Sequence, residues 1–338
     1  MDGSLITGDV ADTTGNSAGR WSAGNWIAFG ALGISGCDSS LSSAYDISSD
    51  GARCVGLGWS GCSASAFLWS DSAGITALPQ DGPNSSRADT ISGDGMVIGG
   101  WDEATNGSRR AAAWHQNSTT GEWNETILLE GLSGNAAGYG EVNGSNSDGS
   151  ILLGSSNGSS IASDGAFVYR QGSGVEVLGM VPQDTAPATA GALDASENGN
   201  IIVGFQREGF GGAQQFKATI WTPDTGLMLL KTYLNDLGAD IPAAFTLAAG
   251  MSISDDGRVF CGWGYEGLFF AQEAWIVTIE GDTDCPGDFD NDGFVGGGDL
   301  GFLLVAWGTN NPEFDLDGNG AVNGGDLGFF LSFWGPCE

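Results

Sequence analysis

A phrase built from a polar residue, Asp or Asn, Gly, and then a β-branched or apolar run closed by Gly recurs six times between residues 1 and 280 of this 338-residue chain. It begins with Asp2-Gly3 and Leu5-Ile6-Thr7-Gly8, then returns at Asp50-Gly51, Asp94-Gly95, Asp148-Gly149, Asn198-Gly199 and Asp256-Gly257, at spacings of 48, 44, 54, 50 and 58 residues. A second phrase follows each copy and ends in an aromatic: Trp21, Trp69, Trp114, Tyr169, Trp221 and Trp275. In most copies a Gly turn and a Leu come next, as at Leu78 and Leu178. Asp-Gly and Asn-Gly supply the positive φ of a tight hairpin. The segments on either side alternate or run apolar, as strands do. Four short strands in each ~50-residue unit, none able to bury its faces alone, predict a mainly β chain. The architecture expected is a β-propeller of five or six blades over residues 1–280. A β-sandwich of degenerate hairpins is the competing packing, and a β-solenoid would use shorter coils.

The first copy starts at its turn and lacks the preceding strand, while the last stops after Trp275-Ile276-Val277 without a Leu strand. Truncation upstream, together with a closing blade shared between the two ends of the chain, is the expected explanation. Strand donation by a neighbouring molecule is the alternative, since an open edge invites it. The phrases A-x-D-I-S-x-D-G-x-x-V-x-G and A-F-x-W resemble the HAF-type extracellular repeat over most of residues 1–280, and the turn is similar to that of TolB-like propellers. The HAF resemblance implies an exported, extracellular or cell-surface protein and says little about chemistry.

Asp and Glu number 42 against 10 Lys and Arg, for a net charge of −32. Such a surface repels phosphate backbones, which argues against nucleic acid and suits divalent cations. With 41% hydrophobic residues, 12 Trp and 17 Phe, the chain can still bury a core. No apolar run reaches the ~18 residues of a membrane span. No signal peptide is visible at the Met1-Asp2-Gly3 start. Six cysteines without a C-x-x-C pair, and a single histidine, His115, argue against zinc and for disulfides in an exported protein. Pairings expected are Cys285 with Cys337, Cys37 with Cys62, and, as a guess, Cys54 with Cys261.

From Asp282 onward Lys and Arg disappear and a 27-residue duplication begins. Its halves run from Asp288 to Gly308 and from Asp315 to Gly335. Counting from each first Asp, positions 1, 3 and 5 are Asp288, Asp290, Asp292 and Asp315, Asp317, Asn319. Gly293 and Gly320 stand at the sharp turn, Phe294 and Ala321 offer backbone carbonyls at position 7, and Asp299 and Asp326 close each loop at position 12. This alternation aims oxygens at one centre, as calcium with its about six to eight ligands requires. Two Ca2+ ions are expected, with folding coupled to their uptake. A short helix follows each loop, and Leu300, Leu303, Leu304, Trp307 with Leu327, Phe330, Leu331, Trp334 form the expected shared core.

Asp at position 12, one helix per loop and near-identical halves resemble a type I dockerin over residues 284–338, within an α-helical domain at 281–338. That resemblance implies a cohesin-like or other surface protein as partner. Gly297, Gly298, Gly324 and Gly325 depart from it, because the family carries side chains there for recognition.

No catalytic constellation emerges. His115 follows Trp114 in a strand phrase, and the recurring Asp residues sit in turns that Asx chemistry explains. Trp21, Trp69, Trp114 and Trp221 fit blade core, whereas Trp59, Trp101 and Trp123, read as exposed in Gly/Ser-rich loops, are better placed to stack on carbohydrate. The function expected is non-catalytic binding or scaffolding, docked through the calcium module. A polysaccharide-degrading enzyme and a self-assembling surface filament subunit are the alternatives.

Overall fold

The computed structural model describes residues 4–12, 15–33, 41–60, 63–129, 139–157, 165–182, 188–209, 214–267, 271–279, 285–290 and 294–337. Each repeat copy folds as one antiparallel module. Among the described residues the first has three strands between Leu5 and Ala28; modules two to five have four each, Ser42–Ala77, Ser86–Leu129, Tyr139–Gly179 and Ala188–Leu229; the sixth has three, between Phe245 and Thr278. A helix, Leu230–Asp236, follows the fifth. Modules four and five are bridged by a pairing of Ser155 with Gly191.

The Asp-Gly phrase is the turn between the first and second strands of a module. In module two Gly51 N–H donates to Ser48 O (2.8 Å), and Ala52 N–H and Ser48 Oγ donate to Asp50 Oδ1 (2.9 and 2.7 Å). Asn198 replaces Asp in module five and accepts from Asn200 N–H and Ser196 Oγ at 2.9 Å each. The turn therefore needs a side-chain oxygen rather than a charge. Gly51, Gly95, Gly149, Gly199 and Gly257 all lie at φ between +67° and +75°, where a Cβ would be strained.

The second glycine of the phrase has a different cause. The first strands carry a bulge, between Ala44 and Asp46, Ala88 and Thr90, Val142 and Gly144, and Ala192 and Asp194. The bulged backbone pushes a carbonyl against the second strand, where Gly56, Gly100, Gly154 and Gly204 receive it. A methyl group at Gly154 would overlap both the Glu141 carbonyl and the Phe167 ring. Phe167 belongs to the A-F-x-W phrase, so two phrases distant in the sequence meet at one glycine.

The core is divided among module interfaces. Ala18, Phe29, Ile47, Cys54, Phe67 and Trp69 pack between modules one and two. Val55, Ala66, Ile91, Ile98 and Trp114 do so between two and three, and Val97, Ala113, Val142, Leu152 and Phe167 between three and four. Trp114 is fully buried, its indole N–H donating to Pro79 O (2.7 Å). First strands of neighbouring modules also touch directly. Asp46 Oδ2 accepts from Thr90 Oγ1 (2.9 Å) and Ile91 N–H (2.8 Å), and Asp194 Oδ2 from Ser252 Oγ (2.5 Å) and Ile253 N–H (2.9 Å). Turns are joined too, Ser49 N–H to Gly93 O and Asp94 N–H to Ser147 O (both 2.9 Å).

Two expectations are corrected. Cys54 and Cys261 are free thiols, because Cys54 is enclosed in the interface of modules one and two while Cys261 belongs to the sixth module. Trp101 is not a loop residue but a buried strand one; Trp59 and Trp123 also lie in strands, and Trp123 packs against the core of modules two and three. Cys37 and Cys62 lie outside the described residues.

By its contacts the chain divides into one unit of Met1–Ile253 with Cys261–Trp275 and another of Ser254–Phe260 with Ile276–Glu338. Among the described residues no helix is long and apolar enough to cross a membrane.

Gly154→Ala should lower stability by about 1–3 kcal/mol, the usual cost of forcing atoms into a packed site, read as a shift in urea midpoint. A second check uses pH. Burial pushes the Asp46 carboxyl above its ordinary range, against the hydrogen bonds from Ile91, Ile47 and Thr90, and nearby Asp194 pushes the same way. A raised folded value means that the native state holds this proton more tightly than the unfolded chain. Its contribution is thus full below the unfolded value of about 3.9 and is lost as pH rises through the folded one. Asp46→Asn should flatten this fall of melting temperature with rising pH, whatever its effect on the baseline.

Candidate metal centre

The second unit is built on the 27-residue duplication. Helices Gly297–Val305 and Gly324–Ser332 follow the two acidic loops. Val295 pairs with Gly335, three residues past the end of the second helix. Val322 is hydrogen-bonded to Gly308 and Thr309, which follow the first, by Gly308 N–H to Val322 O and Val322 N–H to Thr309 O (2.8 Å each). Each loop is thereby anchored beside the other half's helix end. Val295, Leu303, Ala306, Val322 and Phe330 form the buried centre, with Leu300, Leu327 and Phe333 packed around it.

Burial thus follows a three-residue spacing, Leu300-Leu303-Ala306 and Leu327-Phe330-Phe333. The expected stripe is corrected at Leu304, Trp307, Leu331 and Trp334, which are 54%, 44%, 52% and 51% exposed. Phe289 and Phe314, from the loop segments, fill the space those side chains were expected to take, their rings 4.6 Å apart, with Phe289 6.1 Å from Phe330. The expected disulfide, Cys285–Cys337, is formed.

The acidic side chains converge in two sets. Ligand oxygens of Asp288, Asp290 and Asp299 lie within 4.8 Å of one another, as do those of Asp315, Asp317 and Asp326. Asp299 and Asp326 are buried and act twice. Asp299 Oδ2 accepts from Gly296 N–H (2.8 Å), capping its helix, while Oδ1 accepts from Phe289 N–H (2.7 Å) and Asp290 N–H (3.0 Å), folding the loop back. Asp326 repeats this with Asn323 N–H (2.7 Å) and Asp317 N–H (3.1 Å). Burial alone would raise the Asp326 carboxyl, but these backbone donors outweigh it and hold its pKa below the usual value. In the second loop Asp315 accepts from Asn319 and Gly320 N–H (3.0 and 2.8 Å), bending the chain around its own carboxylates. Asp288 faces Arg258 Nη2 at 3.3 Å within the same unit.

Oxygen-only sets of this charge suit a hard divalent cation. Cys285 and Cys337 lie near Asp288, but their sulfurs are bonded to each other and offer no thiolate. Phe294 and Ala321 occupy position 7; Asp292 lies outside the described residues. Asn319 stays in the second loop, its Oδ1 accepting from Ala321 N–H (3.0 Å). Sequence reasoning missed Asn323. At position 9 its Oδ1 accepts from Gly325 N–H (2.9 Å) and its amide donates to Ala321 O (2.6 Å), placing a further oxygen-bearing side chain on the loop. The signal was present as N-x-x-D at the helix start, the form of a capping box. Gly296 takes that place in the first loop, so the two halves are unequal in donors.

Neither a protein-family model nor a curated protein sequence matches the chain. Solved structures do. One of two prolyl endopeptidases aligns with 82% of this chain and 41% of its own, at TM-score 0.51 and 11% identity. TolB from Acinetobacter baumannii aligns with 82% of this chain at TM-score 0.47 and 13% identity, and this chain spans 61% of it. The β-propeller domain of the Trilobed protease from Pyrococcus furiosus aligns over 83% and 79% of the two chains, at TM-score 0.46 and 11% identity. At such identities the likeness concerns the fold alone. The chain is mainly β with a propeller-like build.

The disulfide closes a separation of 52 residues. Reduction, or Cys337→Ser, should cost the second unit about 4 kcal/mol in the chain-entropy account, read as an earlier urea transition in Trp307 and Trp334 fluorescence.

Proposed function

We propose that this protein is a non-catalytic binding or scaffold protein of the cell exterior, docked through a C-terminal module that takes up two calcium ions. The observation that carries the reading is the duplicated convergence of three carboxylates, each set closed by a buried Asp that also caps a helix. Asp288, Asp290, Asp292, the Phe294 carbonyl and Asp299 would hold one ion. Asp315, Asp317, Asn319, the Ala321 carbonyl and Asp326 would hold the other. A bound dication supplies the charge that lets such carboxylates stay together, so uptake tightens the fold.

Docking is supported by the surface of the module. Phe302, Leu304 and Trp307 are exposed, and so are their repeat equivalents Phe329, Leu331 and Trp334. Six large apolar side chains on so small a unit suit a protein partner. The dockerin resemblance points to a cohesin-like or other surface protein. Gly297, Gly298, Gly324 and Gly325 leave recognition to these apolar side chains instead. Export is supported by the disulfide, which persists in oxidising surroundings.

Calorimetric titration of the full chain with CaCl2 should give two ions bound per chain. Asp290→Ala and Asp317→Ala should each remove one, and magnesium should compete weakly. Uptake of no calcium by the intact protein would overturn the reading.

A further inference from the structure

A second constellation lies in the propeller-like unit, at the strand ends opposite the Asp-Gly turns. The strand registers set it out. Glu141 stands beside Ser155 in module four, and Thr189, Arg207 and Phe216 stand side by side across three strands of module five. Arg109 begins the third strand of module three. These residues, with Tyr139 and Phe205, enclose a cavity of about 300 Å3.

Bases are scarce in this chain, ten in all, and three of them gather here: Arg87, Arg109 and Arg207. Two are already engaged. Arg87 pairs with Asp89 at 2.6 Å, and Glu141 Oε2 lies 3.6 Å from both Arg87 Nη2 and Arg109 Nη1. Arg109 also lies over the Trp101 ring at 4.3 Å. That Glu141 oxygen is buried and has no hydrogen-bond partner among the described residues. Arg207 is exposed and, among the described residues, has neither an ion pair nor a hydrogen bond. A guanidinium without a partner among the described residues, set in a cavity wall beside two phenylalanines, is available to an anionic ligand.

The remaining wall limits what that anion is. Phe205 and Phe216 present apolar surface to the face of a ring. Ser155 is buried, and its Oγ accepts from Asn143 Nδ2 (2.8 Å), which leaves its own proton to donate. Thr189 adds a second hydroxyl at the rim. Guanidinium forks match carboxylates, apolar faces match the C–H side of a sugar ring, and hydroxyls match hydroxyls. The volume, at the lower end of small-molecule sites, holds one or two sugar rings. A phosphate would bring a second negative charge against the Glu141 wall. The acidity of the chain as a whole does not forbid a small anion, because charges beyond about 8 Å are largely screened in saline.

We propose that this cavity binds an acidic sugar, with Arg207 and Arg109 taking the carboxylate, Phe205 and Phe216 the ring, and Ser155 and Thr189 its hydroxyls. The assignment deepens the binding reading given above and rests on it, but it does not require the calcium module.

The test is calorimetric titration of the full chain with glucuronate, galacturonate, a uronate trimer, glucose and glucose 6-phosphate. Uronates should bind and glucose should not. Arg207→Gln should weaken uronate binding tenfold or more at unchanged melting temperature, with Arg207→Lys recovering part of it. Tighter binding of the trimer would support a polysaccharide end as the source, and equal binding a free sugar acid. Absence of uronate binding, equal affinity for glucose, preference for glucose 6-phosphate, or an unaffected Arg207→Gln variant would each overturn the proposal. Titrating the same preparation separately with CaCl2 separates the two readings. Uronate binding by a chain that takes up no calcium would overturn only the docking role, and calcium uptake without uronate binding only the sugar site.

Discussion

The packing of a bulged first strand against a glycine of the second is the contact on which the propeller-like unit rests. At Gly56, Gly100, Gly154 and Gly204 the neighbouring carbonyl comes close enough to exclude any side chain. At Gly56 and Gly154 the aromatic of the third strand, Phe67 and Phe167, closes over the same spot. The bulge also turns Asp46 and Asp194 toward the next module, where they accept backbone and hydroxyl hydrogen bonds. One local irregularity therefore packs the module internally and joins it to its neighbour. Among the described residues of modules one to four, the buried clusters lie at the interfaces between modules.

The few bases serve this joining. Arg20, Arg53 and Arg170 each donate to the carbonyl of the Asp-Gly turn of the next module, at Gly51 (2.6 Å), Gly95 (2.5 Å) and Gly199 (2.7 Å). Arg110 is held between Asp102 (2.8 Å) and Asp81 (3.1 Å), and Lys217 by Glu208 (2.9 Å). Against that background Arg207, without a partner among the described residues, stands out as chemistry left over from folding. In the second unit acidity is organised differently. Carboxylates are gathered by backbone N–H groups, which steady two loops whose like charges would otherwise push them apart.

Much of this was legible in the chain. The spacing of the Asp-Gly phrase set module length and number of turns, because a positive φ is a local demand that only Gly meets cheaply. Positions 1, 3 and 12 of the acidic loops came together as the spacing implied, since ligand geometry there is also local, and the Cys285–Cys337 bridge joined the ends that bracket the module. Other readings failed where a distant neighbour decided the outcome. Trp101, read as exposed, is covered because its strand lies inside module three. Leu304 and Trp307 have the spacing of a helix stripe yet face outward, because Phe289 and Phe314 fill the core first.

What the sequence by itself determined is the set of short-range commitments: turns, strand phrases, acidic loops, helix starts and the paucity of bases. These follow from backbone stereochemistry and from ligand spacing within about a dozen residues. Tertiary structure alone decided which cysteines stayed free and which tryptophans were buried. It also decided that Arg109, Glu141, Ser155 and Arg207, drawn from three modules, would share one cavity. Side chains some hundred residues apart meet only through strand register and the stacking of modules, and no periodicity along a single segment encodes that.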